Sequence, residues 1–316
     1  YVEQILKSRS DNKANQKANF AALRDYATYG KYNPTRNVPS EQELKAINPQ
    51  VLLNLLKNLK NYKLTVLYYG PSSLKEVDQL VCKTIQTPKK FAAVPAIKRY
   101  TEETTPKNEV LIAPYDAKNI YMVQLHNQNQ KWSADRAPII ALFNEYFGGG
   151  MNAIVFQELR EARGLAYSAS AVYASPYRLG GNESFFTYII TQNDKMMDCV
   201  TEFNKLLNNV PVRQSGFDLA KQSLMKSLAS QRTTKYSILT SYLAAQRLGI
   251  DYSLSEKIYN ALPSLQLQDV INFEKEYIAN KPFKYIILGN EKELDLKALE
   301  EIAPIKKVTT EEIFGY

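Results

Sequence analysis

Residues 156–177 read FQELREARGLAYSASAVYASPY. Phe156, Leu159 and Ala162 fall at helical spacing and predict one apolar face, with Arg160 and Arg163 leaning to the other side. Gly164 permits the left-handed turn that ends such a helix. The alternating small and aromatic residues that follow predict a strand running back along it, which brings Tyr167 near the helix's last turn.

The elements around this corner set the fold class. Upstream, EVLIAPY and NIYMVQLHN read as strands, and ADRAPIIALFNEYF as a helix closed by Gly148, Gly149 and Gly150. Downstream come a second alternating strand, ESFFTYIITQ, three longer helical patterns, and LQDVINFEKEYI leading into the strand FKYIILGN. Strands and helices arrive in blocks rather than in strict alternation. We therefore expect an α+β fold with mostly antiparallel sheets packed with helices.

The first hundred residues read differently. DNKANQKANFAALRDYATYG predicts a helix ending at Gly30, and Ser40 with Glu43 has capping-box spacing. Asn48 and Pro49 start another helix, YKLTVLYYGP reads as a strand, and SSLKEVDQLVCKTIQ as an amphipathic helix. Residues 87–108 hold three prolines without a period and are read as a linker. The expected division is residues 1–86 as the back half of a preceding α+β domain, the linker at 87–108, and a complete domain at 109–316. TVLYYGP and KYIILGN, each a β-rich run closing in glycine, hint that the two parts are related.

At 316 residues, with 45% hydrophobic and 23% charged residues, the chain is ordinary for a globular protein of two domains. No apolar run reaches the roughly 18–20 residues of a membrane span. The opening YVEQILKSRS lacks a Met and reads as a start within a helix, so the missing targeting segment says nothing about destination and the compartment stays open. Residues 1–100 carry 17 Lys and Arg against 7 Asp and Glu, and the rest 23 against 25. The lysines are scattered singly with no aromatic-basic motif, so nucleic acid is not expected as a partner. Cys82 and Cys199 are too far apart for a metal clasp and are expected to be buried small hydrophobes.

Much chemistry is excluded. The single histidine, His126, falls in an expected strand without a nucleophile elbow, and neither HExxH nor HxxEH occurs. GGGMNAI lacks the lysine and hydroxyl of a phosphate loop and reads as a helix terminator and hinge. What remains is the corner. Arg160 offers permanent charge and paired donors suited to carbonyls and carboxylates. Tyr167 offers one neutral donor of the kind that steadies an oxyanion. On pattern alone, pairing of Arg160 with Glu161 or Glu183 and burial of Tyr167 in the sheet remain open.

Residues 142–173, LFNEYFGGGMNAIVFQELREARGLAYSASAVY, resemble the C-terminal domains of insulinase/pitrilysin zinc metallopeptidases, the family of the mitochondrial processing peptidases. Those domains carry an arginine followed by Gly-Leu-x-Tyr, matched here by Arg160, Gly164, Leu165 and Tyr167. The resemblance implies a C-terminal half that binds no zinc, because the family's zinc sits in the N-terminal half on HxxEH. It implies that Arg160 positions a peptide and Tyr167 supports the transition state inside a closed chamber, with Gly148–Gly150 as hinge or chamber wall. At the place of the zinc helix stand Asn144 and Glu145, which do not restore the metal site. The implied partners are an N-terminal zinc-binding half, in cis or in trans, and peptide substrates. The chain alone should be inactive. The alternative is a non-catalytic scaffold or peptide-binding subunit of the same fold.

Overall fold

The computed structural model describes residues 1–316. Its elements are α1 (Val2–Ala14), α2 (Gln16–Tyr29), α3 (Glu41–Ala46), α4 (Pro49–Asn58), α5 (Leu74–Ile85), β1 (Glu109–Pro114), β2 (Asn119–His126) and α6 (Ala137–Phe143). Two π-helical segments, Asn144–Gly148 and Phe156–Ala162, lead to β3 (Ser168–Ala174) and β4 (Ser184–Gln192). Then come α7 (Met196–Asn208), α8 (Gln214–Ala229), α9 (Lys235–Leu248), α10 (Leu254–Ala261), α11 (Leu267–Tyr277), β5 (Lys284–Gly289), α12 (Leu296–Ile302), β6 (Ile305–Lys307) and α13 (Thr310–Phe314). No helix is long and apolar enough to cross a membrane.

The six strands form one sheet in the order β3-β4-β2-β5-β1-β6. The pairs β3–β4, β4–β2 and β2–β5 are antiparallel, and β5–β1 and β1–β6 parallel. The fold is thus α+β and mostly antiparallel, as the blocks of elements imply. Every residue of β5 is buried, which is why Tyr285–Leu288 is a continuous apolar run rather than an alternating one. Tyr285 and Ile287 join the core shared with Phe143, Phe147, Phe203 and Phe273 on one face. Ile286 and Leu288 join a second core on the other face, built by Phe20, Leu23 and Tyr26 of α2 with Ile313 and Phe314 of α13.

That second core cuts across the expected boundary at residue 86. Helix α2 belongs to the same sheet as 109–316, because its apolar stripe covers Leu111, Val123 and Ile286. Lys284 fastens it: the buried ammonium donates to the Ala27 carbonyl at 2.7 Å and to Glu103 Oε2 at 2.9 Å. The single helix expected over residues 11–30 is also broken. Asn15 is extended and its side chain accepts from the Ala18 N–H at 3.0 Å, so α1 ends and α2 begins there.

Between α3 and β1 the structure departs further from expectation. The capping box at Ser40 and Glu43 and the Asn48 cap are present. YKLTVLYYGP, however, is not a strand; residues 64–69 form no ladder and make no backbone–backbone hydrogen bond. Helices α4 and α5 bury no residue. Cys82, on α5, is exposed rather than buried, because the helix face that carries it meets no core. Cys199 is buried as expected, and burial pushes its thiol up to about 11.

Candidate functional site

The corner is built by a wide helical turn, a glycine and two anchoring bonds. Residues 156–162 wind as a π-helix, a rare form enriched at functional positions. Leu159 is buried, Phe156 half-buried and Ala162 exposed, so the apolar face is narrower than 3.6-residue spacing suggests. Gly164 has φ +58° and ends the helix. The Leu165 N–H closes onto the Leu159 carbonyl at 2.9 Å. The Leu165 carbonyl in turn accepts from Thr191 Oγ1 at 2.6 Å and from Cys199 Sγ at 3.1 Å. These bonds tie the corner to β4 and α7, and the Tyr167 N–H continues onto the Ile190 carbonyl at 2.8 Å.

Three arginines converge here, and two are committed. Arg163 and Arg213 both pair with Glu158, and Arg163 also reaches Glu202 at 3.3 Å. The Arg163 hydrogen bond, reinforced by Arg213, holds the Glu158 carboxyl below the usual carboxylate range. Arg160 has only Glu161, at 3.7 Å, as an anionic neighbour, and both side chains are exposed. Such a surface pair is worth roughly 0–1 kcal/mol and leaves the guanidinium available. Glu183 is not its partner. That carboxylate is buried and held by Arg136 at 3.0 Å, with the Ser133 N–H at 3.3 Å and the Tyr173 hydroxyl at 3.3 Å donating to it as well.

Tyr167 is 76% exposed and not part of the sheet's core. The Arg160 guanidinium lies 5.9 Å from the centroid of its ring and 4.8 Å from that of Phe156. The structure therefore brings Arg160 and Tyr167 together at the surface. Beside them is a shallow cavity of about 310 Å³ lined by Gly164, Tyr167, Thr191, Gln192, Lys195 and Asn119. Gln192, Lys195 and Asn119 were invisible to sequence reasoning. Asn119 and Gln192 are paired at the ends of β2 and β4, Lys195 stands in the 3-10 turn that follows β4, and no local motif marks them.

The glycines divide by role. Gly148 is buried, and a Cβ there would collide with the Ala171 backbone of β3, so it serves close packing rather than flexing. Gly149 and Gly150 are exposed, and the hinge expectation is confined to them. Asn144 is committed to β3: its Nδ2 donates to the Tyr173 carbonyl at 3.0 Å and its Oδ1 accepts from the Tyr173 N–H at 2.8 Å. The side chain replaces a neighbouring strand and covers this sheet edge. Glu145 accepts from Ser223 Oγ at 2.8 Å.

His126 is buried, with Nδ1 2.8 Å from the Pro282 carbonyl and its ring edge-on to Phe283, and burial lowers its pKa. Asn144, Glu145 and His126 are thus each spoken for by neighbours. They do not fit a zinc ion.

The sequence profile of the family described as "Peptidase M16 inactive domain" matches residues 47–224, more than half of the chain. The chain belongs to this family. An M16 inactive domain is the non-catalytic part of a peptidase and does not itself hold the catalytic zinc. No curated protein sequence matches the chain significantly.

Solved structures agree on the fold. A peptidase M16 inactive domain from Pseudomonas fluorescens aligns with TM-score 0.66 at 17% identity, covering 92% of this chain and 69% of that one. A protease from Helicobacter pylori gives 0.62 at 14% identity, covering 91% and 72%. The ferredoxin protease FusC, in complex with Arabidopsis ferredoxin, gives 0.68 at 13% identity, covering 92% of this chain but 32% of that protease.

Proposed function

We propose that this M16 inactive domain binds and positions peptide substrates for a zinc-bearing half of a peptidase, joined to it in cis or in trans. The observation that carries the reading is the approach of the Arg160 guanidinium to the Tyr167 ring, which itself lines an exposed cavity, next to arginines that are already paired. The Arg160 guanidinium donates two parallel hydrogen bonds to a peptide carbonyl or carboxylate and fixes the substrate's register. The Tyr167 hydroxyl then donates to the oxygen that becomes negative as the scissile carbonyl turns tetrahedral. That bond strengthens as charge develops, so it acts on turnover more than on binding.

Gly149 and Gly150 lie on the loop before the π-helix of Arg160 and are assigned to the wall of the substrate chamber. In the assembled enzyme, Tyr167→Phe lowers kcat and leaves KM nearly unchanged, whereas Arg160→Ala raises KM as well. Wild-type turnover in both variants would remove the assignment and leave a scaffold of the same fold.

A further inference from the structure

The cavity beside Tyr167 holds polar groups that the reading above leaves unused. Asn119, Gln192 and Lys195 line it, and no acidic side chain does. The Asn119 backbone carbonyl accepts from Gln16 Nε2 at 2.7 Å, but the side chains of Asn119, Gln192 and Lys195 have no partner within the protein. Lys195 stands out among the cations of this corner. Arg163 and Arg213 pair with Glu158, and Lys205 pairs with Glu202 at 2.5 Å. Lys195 is half-buried and has no counter-charge. Asp194 and Asp198, its acidic neighbours in sequence, are exposed and lie outside the lining.

The turn that carries Lys195 has a fixed place. Asn193 and Met196, on either side of it, are buried. Asn193 Nδ2 donates to the Ala117 carbonyl at 2.9 Å and to Glu293 Oε2 at 2.7 Å, and its Oδ1 accepts from the Asn290 N–H at 3.3 Å. These bonds hold the turn against the residues that lead into β2, so Lys195 and Asn119 stay at one cavity.

The inference deepens the proposed function and rests on it, because Tyr167 lines the same cavity. We propose that this cavity is a specificity subsite for a carboxylate of the substrate, next to the bond being cleaved, with Lys195 as the determining residue. The carboxylate belongs to an acidic side chain or to the peptide's own C-terminus. A half-buried ammonium without a counter-charge is costly, and an entering carboxylate relieves that cost. The carboxylate accepts a charge-assisted bond from Lys195, with the amides of Asn119 and Gln192 as further donors. A volume of about 310 Å³ suits one side chain or chain end.

The experiment measures kcat and KM of the assembled enzyme for peptide pairs that differ by Glu against Gln at one position, scanned through the residues flanking the scissile bond. A further pair ends in a free carboxylate or an amide. The expected result is one position where the carboxylate is preferred by about tenfold in kcat/KM, mostly through KM. Lys195→Met brings that ratio close to one, Lys195→Arg keeps it, and Lys195→Glu turns it in favour of a Lys-bearing peptide. A ratio seen only between free and amidated ends assigns the subsite to the C-terminus, and one seen only with internal Glu assigns it to a side chain.

No carboxylate preference in a mixture that cleaves peptides, or a preference that survives Lys195→Met, would overturn the subsite and leave the proposed function standing. Where mixing yields no cleavage, fluorescence anisotropy of labelled Glu and Gln peptides with this chain alone decides. Tighter binding of the Glu peptide, equalised by Lys195→Met, would support the subsite and count against the function. Equal binding of the two peptides would overturn the subsite.

Discussion

The Arg160 guanidinium faces the Tyr167 ring at 5.9 Å from its centroid, seven residues away across a glycine corner. Both side chains are exposed, so neither contributes much to the core. Removing them should therefore separate function from folding. In the assembled enzyme, Tyr167→Phe or Arg160→Ala should lower turnover by about 10²–10³. The thermal midpoint of the chain should move by no more than about 0.5 kcal/mol equivalent. Kinetics and a melting curve on the same preparations check both halves of the statement.

Asn144 makes the opposite prediction. Its two bonds to Tyr173 satisfy an N–H and a carbonyl on the sheet's outer strand. Asn144→Ala should cost about 1–3 kcal/mol in urea unfolding, the usual penalty for stranding buried polar groups. Gly148→Ala should cost about as much, since the added methyl meets the Ala171 backbone and one of the two must shift. Wild-type stability in both would contradict the covered-edge description.

Lys284 holds α2 to the sheet through the Ala27 carbonyl and Glu103. Lys284→Met keeps most of the buried volume and removes the bonds. The expected loss is about 1–3 kcal/mol, with faster amide exchange concentrated in residues 16–29. Exchange that rises evenly over the molecule would show that α2 is not separately fastened.

Glu274 gives a pH signature. Its carboxyl is 1% exposed, one oxygen lacks a partner, and burial pushes its pKa up to about 7. A carboxyl with a raised folded pKa keeps its proton longer in the folded state than in the unfolded one. Its favourable contribution is complete below the unfolded value of about 4.3 and is lost as pH rises towards 7. Stability should fall by on the order of 2–3 kcal/mol between pH 4.5 and 8 from this group. Glu274→Gln should flatten that part of the urea-midpoint profile, and an unchanged slope would assign it to other groups.

How far the sequence could be read depended on how local each feature is. The Ser40 and Asn48 caps, the Gly164 corner and the buried run of β5 are set by residues within a few positions of one another, and they were legible. LTVLYY misled because strand propensity reports how well a residue fits beside cross-strand neighbours, and this run has none here. The packing of α2 on the sheet was not legible, because its partners, Leu111 and Ile286, lie 88 or more positions beyond Leu23. At the site, Arg160 and Tyr167 were visible as a motif. Asn119 and Gln192 were not, since the pairing of β2 with β4 alone brings them together at the cavity.

The most direct test of the account is peptidase activity of this chain alone and after addition of a zinc-bearing half. The account predicts no hydrolysis by the chain alone, hydrolysis on mixing, and a loss of about 10²–10³ in turnover with Tyr167→Phe. Hydrolysis by the chain alone, or a mixed activity indifferent to both Arg160 and Tyr167, would contradict it.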